Sequence, residues 1–218
     1  MASSPDLKIV RRAAWGLVAL VVAGWGLHAS GALDALRASG SGVVANLPGT
    51  VTIGAPFKLT AQDGRVFDSA ALAGAPYALF FGFTHCPDVC PTTLLEMTQH
   101  LAALGPSAAK LKVVFVTVDP ERDTAQLLKD YLSAFDPRII GLTGTPAEIA
   151  AVARSYRAYY EKVPTKSGAK AGEKDAGYTM NHAASVYMMD SAGKFVGTFN
   201  FQEKQEIQRT KLRRLVGL

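Results

Sequence analysis

Two long apolar runs, separated by a segment of helical periodicity, constrain the fold of this chain more than any other feature. Residues 77–83 read YALFFGF and residues 112–118 read KVVFVTV. Apolar runs of this length are typical of strands that are buried on both faces, as the central strands of parallel sheets are. The intervening segment, residues 91–104, has helical spacing and places four leucines on one predicted face: Leu94, Leu95, Leu101 and Leu104. The pattern therefore predicts two central strands that are connected by a helix.

The remaining segments alternate between short strand patterns and helix patterns. The predicted elements are two strands within residues 56–69, a helix at 124–135, a strand at 138–142, a helix from Thr145 to about residue 157, strands at 184–189 and 195–199, and a final helix at 203–216. Thr145 is the predicted N-cap of its helix, because Pro146 occupies the first turn. This order predicts an α/β sandwich with a mixed central β-sheet.

The N-terminal part of the sequence contains a membrane-targeting pattern. Residues 13–33 include no Asp, Glu, Lys or Arg, and the run is long enough to cross a bilayer as a transmembrane helix. Lys8, Arg11 and Arg12 precede it, so the positive-inside rule places residues 1–12 in the cytoplasm. We expect a single-pass anchor in the inner membrane, with the following domain in the periplasm or on the equivalent exported side. The alternative is a cleaved signal peptide, which exports the domain as well.

The folded domain is predicted to begin after a linker. Residues 34–50 are rich in Gly, Ser and Pro towards their end and are expected to be flexible, so residues 51–218 form the domain. A stretch rich in lysine and glycine at residues 164–177 has no apolar period and is predicted to be an exposed loop. The formal net charge is +5, and no basic block is interleaved with aromatic residues. Nucleic acid is therefore not an expected partner.

Both cysteines of the chain lie where the first central strand gives way to the helix. They occur in the sequence HCPDVCP as Cys86 and Cys90, each followed by a proline. Because a residue before proline avoids helical backbone angles, both are expected at turn or cap positions, with the helix beginning near Pro91. Partial positive charge at a helix N-terminus favours the thiolate form. Four residues at helical rise span about 6 Å, which permits either a disulfide or a shared metal ion.

A third ligand would favour a metal site, and histidine is the candidate residue type. His182 lies in a predicted loop before a strand that is antiparallel to residues 77–83, so it is expected near the sulfurs. His85 is expected to point away from Cys86, and His100, beside a polar neighbour, is predicted to lie on the surface. Two thiolates and one imidazole form a soft ligand set that suits copper. Met180, Met188 and Met189 are possible thioether donors, although Met188 and Met189 lie in a predicted strand, where core packing is the expected use.

Other interpretations of the cysteine pair stay open at this point. A disulfide that closes so short a loop removes little entropy from the unfolded chain and would add little stability. Thiol oxidoreductases place two residues between their cysteines at this kind of corner, whereas here three intervene. General reductases of this class also resemble one another in a proline just before the strand that faces the cysteines, where this chain has Ala183-Ala184. Peroxide reduction would need a well-placed arginine, and the sequence indicates none.

Three motifs together resemble the Sco/SenC family of copper-delivery proteins. They are CPDVCP after an apolar strand, VDPERDT at residues 118–124, and the pair of Tyr178 and His182 with Tyr-x-x-x-His spacing. The resemblance extends over about residues 50–200. It implies a thioredoxin-like fold, and the predicted membrane anchor agrees with it.

The resemblance also implies a set of site residues. Cys86, Cys90 and His182 correspond to the family's copper ligands, and the two cysteines form a redox disulfide that has to be reduced before copper binds. Asp119 matches an acidic residue near the family's site, although a turn role before the following proline would also explain it. Asn181 stands where the family usually has aspartate, so the residue that would orient the imidazole is here an amide.

The resemblance implies a membrane-anchored copper metallochaperone rather than an enzyme. In the family, copper is delivered to the dinuclear copper A centre of cytochrome c oxidase. The expected partners are therefore the oxidase subunit that carries this centre and a second copper chaperone that acts as donor. The alternative function is a thiol–disulfide reductase that prepares the cysteines of that copper site.

Overall fold

The computed structural model describes residues 52–165 and 177–218. The predicted anchor at residues 13–33, the linker at 34–50 and most of the lysine-rich stretch lie outside the described residues. Within the two described ranges, no helix is both long enough and apolar enough to cross a membrane.

Nine strands, four α-helices and two short 3-10 helices make up the described part of the chain. The strands are β1 (Lys58–Ala61), β2 (Val66–Asp68), β3 (Tyr77–Gly82), β4 (Lys112–Thr117), β5 (Ile139–Thr143), β6 (Tyr160–Pro164), β7 (Tyr178–His182), β8 (Ser185–Met189) and β9 (Phe195–Asn200). The α-helices are α1 (Val89–Leu104), α2 (Ala125–Leu132), α3 (Pro146–Ser155) and α4 (Gln205–Leu215), and the 3-10 helices span Ser69–Leu72 and Gly105–Lys110.

Seven of the strands form one mixed sheet in the order β2-β1-β5-β4-β3-β8-β9. Strands β3, β4 and β5 are parallel, whereas β1 is antiparallel to β5 and β8 is antiparallel to β3. The two predicted central strands are neighbours, with Tyr77 opposite Lys112 and Gly82 opposite Thr117. Their carboxyl ends therefore meet at one edge of the sheet. The predicted mixed sheet with its central parallel pair is confirmed.

The alternation of side chains along the central strands divides the core into two layers. Leu79 and Phe81 of β3 lie in one layer with Ile149 and Val152 of α3. Phe80 lies in the other layer with residues of three helices: Leu94, Met97 and Leu101 of α1, Leu128 of α2 and Leu212 of α4. All of β3 is buried. Its continuous apolar run is explained by helices that cover both faces of the sheet.

Threonine caps define the starts of α2 and α3. The Thr145 hydroxyl accepts from the backbone N–H of Glu148, and the Glu148 carboxylate accepts from the backbone N–H of Thr145, which forms a capping box. Thr124 accepts in the same way from the N–H of Leu127. The predicted cap at Thr145, with Pro146 in the first turn, is confirmed.

The predictions for two side chains of α1 are wrong. His100, predicted to lie on the surface, is 1% exposed because α4 packs against α1 and places Gln208 Oε1 2.7 Å from its Nε2. This partner lies 108 residues further along the chain, so no local pattern indicates it. Leu95, predicted to share the apolar face, is 52% exposed. One residue turns a helix by about 100°, so Leu95 points away from the core that Leu94 enters.

Strands β6 and β7 form a separate antiparallel sheet of two strands, and neither strand has a counterpart among the predicted elements. In this hairpin Tyr160 lies opposite His182, and Pro164 lies opposite Tyr178. His182 therefore ends a strand rather than lying in a loop before β8. The predicted exposed loop, residues 164–177, overlaps the connection between the two strands.

Candidate metal centre

The two cysteines lie on the short connection between β3 and α1. Strand β3 ends at Gly82 and α1 begins at Val89, so Cys86 lies in the connecting turn and Cys90 in the first turn of the helix. The predicted turn or cap position is correct for Cys86 and wrong for Cys90. Helix α1 begins before Pro91, which it tolerates because N–H groups of the first turn have no partner within the helix. The backbone N–H of Cys90 donates to the Cys86 sulfur at 3.4 Å.

The imidazole of His182 reaches the cysteines from the end of β7. Its Nε2 lies 3.4 Å from the Cys90 sulfur, and its Nδ1 lies 3.1 Å from the carbonyl oxygen of Ala183. A carbonyl can only accept, so Nδ1 donates to it, and Nε2 is the ring nitrogen that faces the sulfurs. The ring also packs edge-on against Phe83, with a centroid separation of 5.7 Å.

The structure brings the three predicted ligand residues together. The sulfurs of Cys86 and Cys90 and a ring nitrogen of His182 all lie within 4.8 Å of one another. Cys86 is partly exposed, Cys90 is buried, and neither sulfur is bonded to another cysteine. One soft metal ion can contact all three atoms after small side-chain movements, and the exposed Cys86 leaves a route from solvent.

Gly82 makes room for the buried sulfur. A Cβ atom added at this position would lie 2.9 Å from the Cys90 sulfur and 2.5 Å from the Phe115 ring. Contacts this short are repulsive, so any larger residue would displace the sulfur or the ring. The glycine at the end of β3 therefore forms part of the cradle for Cys90.

The two thiols differ in acidity. The Cys90 thiol donates a hydrogen bond to the Cys86 sulfur, and this bond lowers the pKa of Cys86 to about 3, against the effect of burial and with help from His182. The same hydrogen bond, together with burial, raises the pKa of Cys90. The metal-free pair therefore carries one negative charge, on the more exposed sulfur. A metal ion that binds both sulfurs would displace the remaining proton, because a coordinating thiol is deprotonated.

Asp119, predicted to lie near the site, is buried and contacts the hairpin that carries His182. One carboxylate oxygen accepts from the Tyr178 hydroxyl at 2.9 Å, and the other pairs with the Arg122 guanidinium. Its backbone N–H donates to the Thr117 hydroxyl. Tyr178 begins the strand that His182 ends, so Asp119 contacts the ligand-bearing strand at its opposite end.

Asn181 precedes His182 in β7 and is exposed. It lies opposite Glu161 of β6. Since successive residues of a strand point to opposite faces, its side chain leaves the hairpin on the face away from that of His182. A contribution of Asn181 to the metal centre stays a prediction.

Asp123 is a site residue that sequence reasoning missed. Its buried carboxylate accepts from the backbone N–H and the hydroxyl of Thr84, at 3.0 and 2.6 Å, and from the Thr117 hydroxyl at 2.6 Å. Burial raises its pKa, and these three hydrogen bonds oppose that effect. Thr84 begins the turn that contains Cys86, so Asp123 holds the cysteine connection in place. Its position in the VDPERDT motif is the only signal in the sequence.

All three methionines belong to the core, as predicted for Met188 and Met189. Met189 is fully buried, and Met180 and Met188 are at most 8% exposed. Met180 packs in the layer that contains Cys90, while Met188 packs in the layer that α1, α2 and α4 cover. Packing accounts for all three.

A mixed sheet with a cysteine pair at a strand-to-helix corner, facing a histidine, defines a thioredoxin-like domain with a candidate site for a soft metal ion. The family model described as SCO1/SenC matches residues 45–217. The chain therefore belongs to the SCO1/SenC family.

Solved and curated relatives agree with this assignment. The structure of Bradyrhizobium japonicum ScoI with copper bound is 49% identical, covers 75% of this chain and 99% of its own, and superposes with a TM-score of 0.66. Protein SCO1 homolog 1 from Arabidopsis thaliana mitochondria is 41% identical over 68% of this chain and 42% of its own length. A SCO2-like protein of Rickettsia felis is 38% identical over 68% of this chain and 70% of its own length. The chain thus spans less than half of the Arabidopsis relative.

Proposed function

We propose that this chain binds copper through Cys86, Cys90 and His182. The observation that carries the proposal is the convergence of two sulfurs and one imidazole nitrogen within 4.8 Å. Thiolates suit Cu(I), and an imidazole adds a ligand that Cu(II) accepts. The related ScoI proteins of Bradyrhizobium japonicum and Arabidopsis thaliana have been solved with copper bound.

The acidities of the two thiols define how the chain takes up its cargo. The Cys86 thiolate is the charged and accessible group, so an arriving ion meets it first. The Cys90 proton then leaves, and the buried sulfur becomes the second ligand. The hydrogen bond from Nδ1 to the Ala183 carbonyl keeps Nε2 of His182 available as the third ligand. Transfer to an acceptor proceeds in reverse, with Cys86 as the last sulfur to release the ion.

We further propose that the chain delivers copper to the dinuclear copper A centre of cytochrome c oxidase. The membership in the SCO1/SenC family supports this role. The partners would be the oxidase subunit that carries the centre and a second copper chaperone as donor. A transmembrane helix at residues 13–33 would hold the domain at the membrane on the exported side, next to such a subunit.

The asymmetry of the cysteine pair favours a second candidate function, thiol–disulfide reduction. The Cys86 thiolate would attack a partner disulfide, form a mixed disulfide and release one partner thiolate. Cys90 would then attack Cys86, lose its proton to the medium and release the second thiolate. The partner disulfide is reduced by two electrons, and the Cys86–Cys90 disulfide is formed.

A copper titration of the reduced, full-length chain in detergent tests the main proposal. We expect one ion per chain in each oxidation state, with a thiolate-to-copper charge-transfer band for Cu(II). His182→Ala should remove the nitrogen signature from the electron paramagnetic resonance spectrum and weaken Cu(II) binding. Glu161→Ala, on the same hairpin but exposed and outside the ligand set, is the control and should bind as the wild type does. Unchanged binding by His182→Ala in both oxidation states would reject the three-ligand site.

Reduction of a model disulfide separates the two functions. A metallochaperone should reduce it slowly, and bound copper should block the reaction because both sulfurs are occupied. A reductase should turn over with a thiol donor at a rate that depends on both cysteines. Fast turnover without measurable copper binding would favour the second function.

A further inference from the structure

The hairpin that carries His182 belongs to a sheet of its own, so its side chains determine where the imidazole lies relative to the sulfurs. Met180 anchors the hairpin in the core, where it is 8% exposed. The His182 ring contacts Phe83, the residue that follows β3. A third set of contacts joins the hairpin to the turn after β4, residues 119–123, which lies within the VDPERDT motif.

Arg122 of this turn makes the most extensive contact with the hairpin. Its Nε pairs with Asp119, its Nη1 donates to the backbone carbonyl of Tyr178 at 3.3 Å, and its guanidinium carbon lies 3.9 Å from the centre of the Tyr178 ring. The guanidinium carbon is also 5.9 Å from the Phe83 ring, against which His182 packs. The Arg122 side chain is only 9% exposed.

Two further contacts join the turn to both strands of the hairpin. The Tyr178 hydroxyl donates to Asp119 at 2.9 Å. Lys162 of β6 pairs with Glu121 at 2.7 Å, and its Nζ lies 3.9 Å from the Tyr178 ring centre. Residues 119, 121 and 122 therefore contact strand β7 at its first residue and strand β6 near its middle.

The same turn also holds the cysteine half of the site. Asp123 accepts two hydrogen bonds from Thr84, and its own backbone N–H donates to the Asp119 carbonyl at 2.9 Å. Asp119 and Asp123 are thus parts of one short backbone turn. One of them contacts the histidine hairpin, and the other contacts the turn that contains Cys86.

The surroundings of Arg122 argue against a role in stability alone. Its Nη2 is buried and has no hydrogen-bond partner among residues 52–165 and 177–218. A buried donor without a partner is costly, and a buried ion pair is weak evidence for a stabilising role. The guanidinium instead contacts the Tyr178 ring, the Tyr178 carbonyl and the Phe83 ring. Tyr178 belongs to the strand that carries His182, and Phe83 is the ring against which His182 packs.

We infer that the turn of residues 119–123 sets the separation between the sulfurs and the imidazole, with Arg122 as the positioning residue for His182. The inference rests on the proposed copper site. Cu(I) can be held by the two thiolates of the cysteine connection, whereas Cu(II) needs the imidazole in place. Loss of Arg122 should therefore weaken Cu(II) binding and largely spare Cu(I) binding.

Arg122→Met in the full-length chain tests this inference, with Arg138→Met as the matched control. Arg138 also pairs with an aspartate, Asp136, but precedes β5 at the opposite end of the parallel strands. Loss of a group that positions a metal ligand typically costs about 10- to 100-fold in metal affinity, and we expect a Cu(II) loss in this range for Arg122→Met. Its Cu(I) affinity, measured by competition with a chelator, should stay close to that of the wild type. Arg138→Met should have the Cu(I) and Cu(II) affinities of the wild type.

Hydrogen exchange of the metal-free protein gives a second readout. In Arg122→Met the amides of β7 should exchange faster, while those of β3 and β4 should keep their protection. Wild-type Cu(II) affinity together with wild-type exchange in β7 would overturn the inference, as would equal losses of Cu(I) and Cu(II). If the wild-type chain binds no copper, the proposed function fails, and the exchange experiment still decides whether Arg122 positions the hairpin.

Tyr178→Phe provides an independent variant should Arg122→Met not fold. It removes the hydroxyl that donates a hydrogen bond to Asp119 and keeps the ring that Arg122 and Lys162 contact. We expect a smaller loss of Cu(II) affinity than in Arg122→Met, again without a loss of Cu(I) affinity. The inference would be contradicted if Tyr178→Phe bound Cu(II) as the wild type does and if amide exchange in β6 and β7 were not faster than in the wild type.

Discussion

The cysteine corner and the histidine hairpin hold their ligands by different means. Cys86 and Cys90 are four residues apart, one in the turn after a fully buried central strand and the other in the first turn of the helix that follows. His182 lies 92 residues after Cys90, at the end of a hairpin outside the main sheet. The sulfurs are fixed by the core, whereas the imidazole depends on side-chain contacts. We therefore expect the positions of the two sulfurs to be rigid, the constant half of the site, and the position of the imidazole to be adjustable.

The largest effect should come from the constant half. Cys90→Ser removes a buried sulfur and, with it, the second soft ligand, so we expect loss of both Cu(I) and Cu(II) binding. His182→Ala should lose mainly Cu(II) binding, because two thiolates still suit Cu(I). Chelator competition in both oxidation states measures the difference. If the two variants behave alike, the site is not divided in this way.

The acidity of the corner provides the next prediction, on the metal-free, reduced chain. Because the Cys86 pKa is lowered to about 3, Cys86 stays a thiolate as the pH falls, and its alkylation by iodoacetamide should keep nearly the same rate. For an ordinary thiol with a pKa of about 8.5, the alkylation rate falls by close to a factor of 10 per pH unit below that pKa. Cys90→Ala removes the hydrogen bond that is the main cause of the shift, and the rate should then fall with pH. A steep fall in the wild type would show that the Cys90 thiol does not stabilise the charge.

Local patterns predict the corner well because its structure is local. The apolar runs of β3 and β4 and the prolines after the cysteines depend only on residues that are close in sequence. The predicted cap or turn position is wrong for Cys90, since a proline is acceptable within the first turn of a helix.

The hairpin shows where sequence patterns stop being informative. Strand β6, with the sequence YEKVP, has only two partly buried residues, Tyr160 and Val163. Its partner is β7, which follows it in the chain only after residues 165–177. Such a strand has almost no apolar period of its own. Asp123 and Arg122 have the composition of a charged surface turn, and their burial follows only from the packing of the hairpin and the sheet. The surface prediction for His100 is wrong for the same reason, because its partner Gln208 belongs to a distant helix.

A moderate effect is expected where the corner has the least space. In Gly82→Ala the new methyl group would meet the Cys90 sulfur and the Phe115 ring. Overpacking of this kind costs about 1–3 kcal/mol, so the free energy of unfolding should fall by that amount in a denaturant titration. Phe115→Leu in the same chain should recover part of the loss by making room. Full wild-type stability of Gly82→Ala would mean that the cradle around the sulfur is looser than the distances indicate.

The smallest effect concerns the element that joins the two halves. Asp123→Asn keeps the shape of the side chain but replaces one acceptor oxygen by a donor, so at least one of the three hydrogen bonds from Thr84 and Thr117 is lost. A buried donor without an acceptor costs about 1–2 kcal/mol, and the free energy of unfolding should fall accordingly. Asp136→Asn, at a partly exposed ion pair, is the control and should lose at most about 1 kcal/mol.

Because Asp123 contacts the cysteine connection and not the hairpin, Asp123→Asn should weaken Cu(I) and Cu(II) binding alike, in contrast to Arg122→Met. A selective loss of Cu(II) binding in Asp123→Asn would show that the turn acts as one unit and that the two halves of the site cannot be adjusted separately.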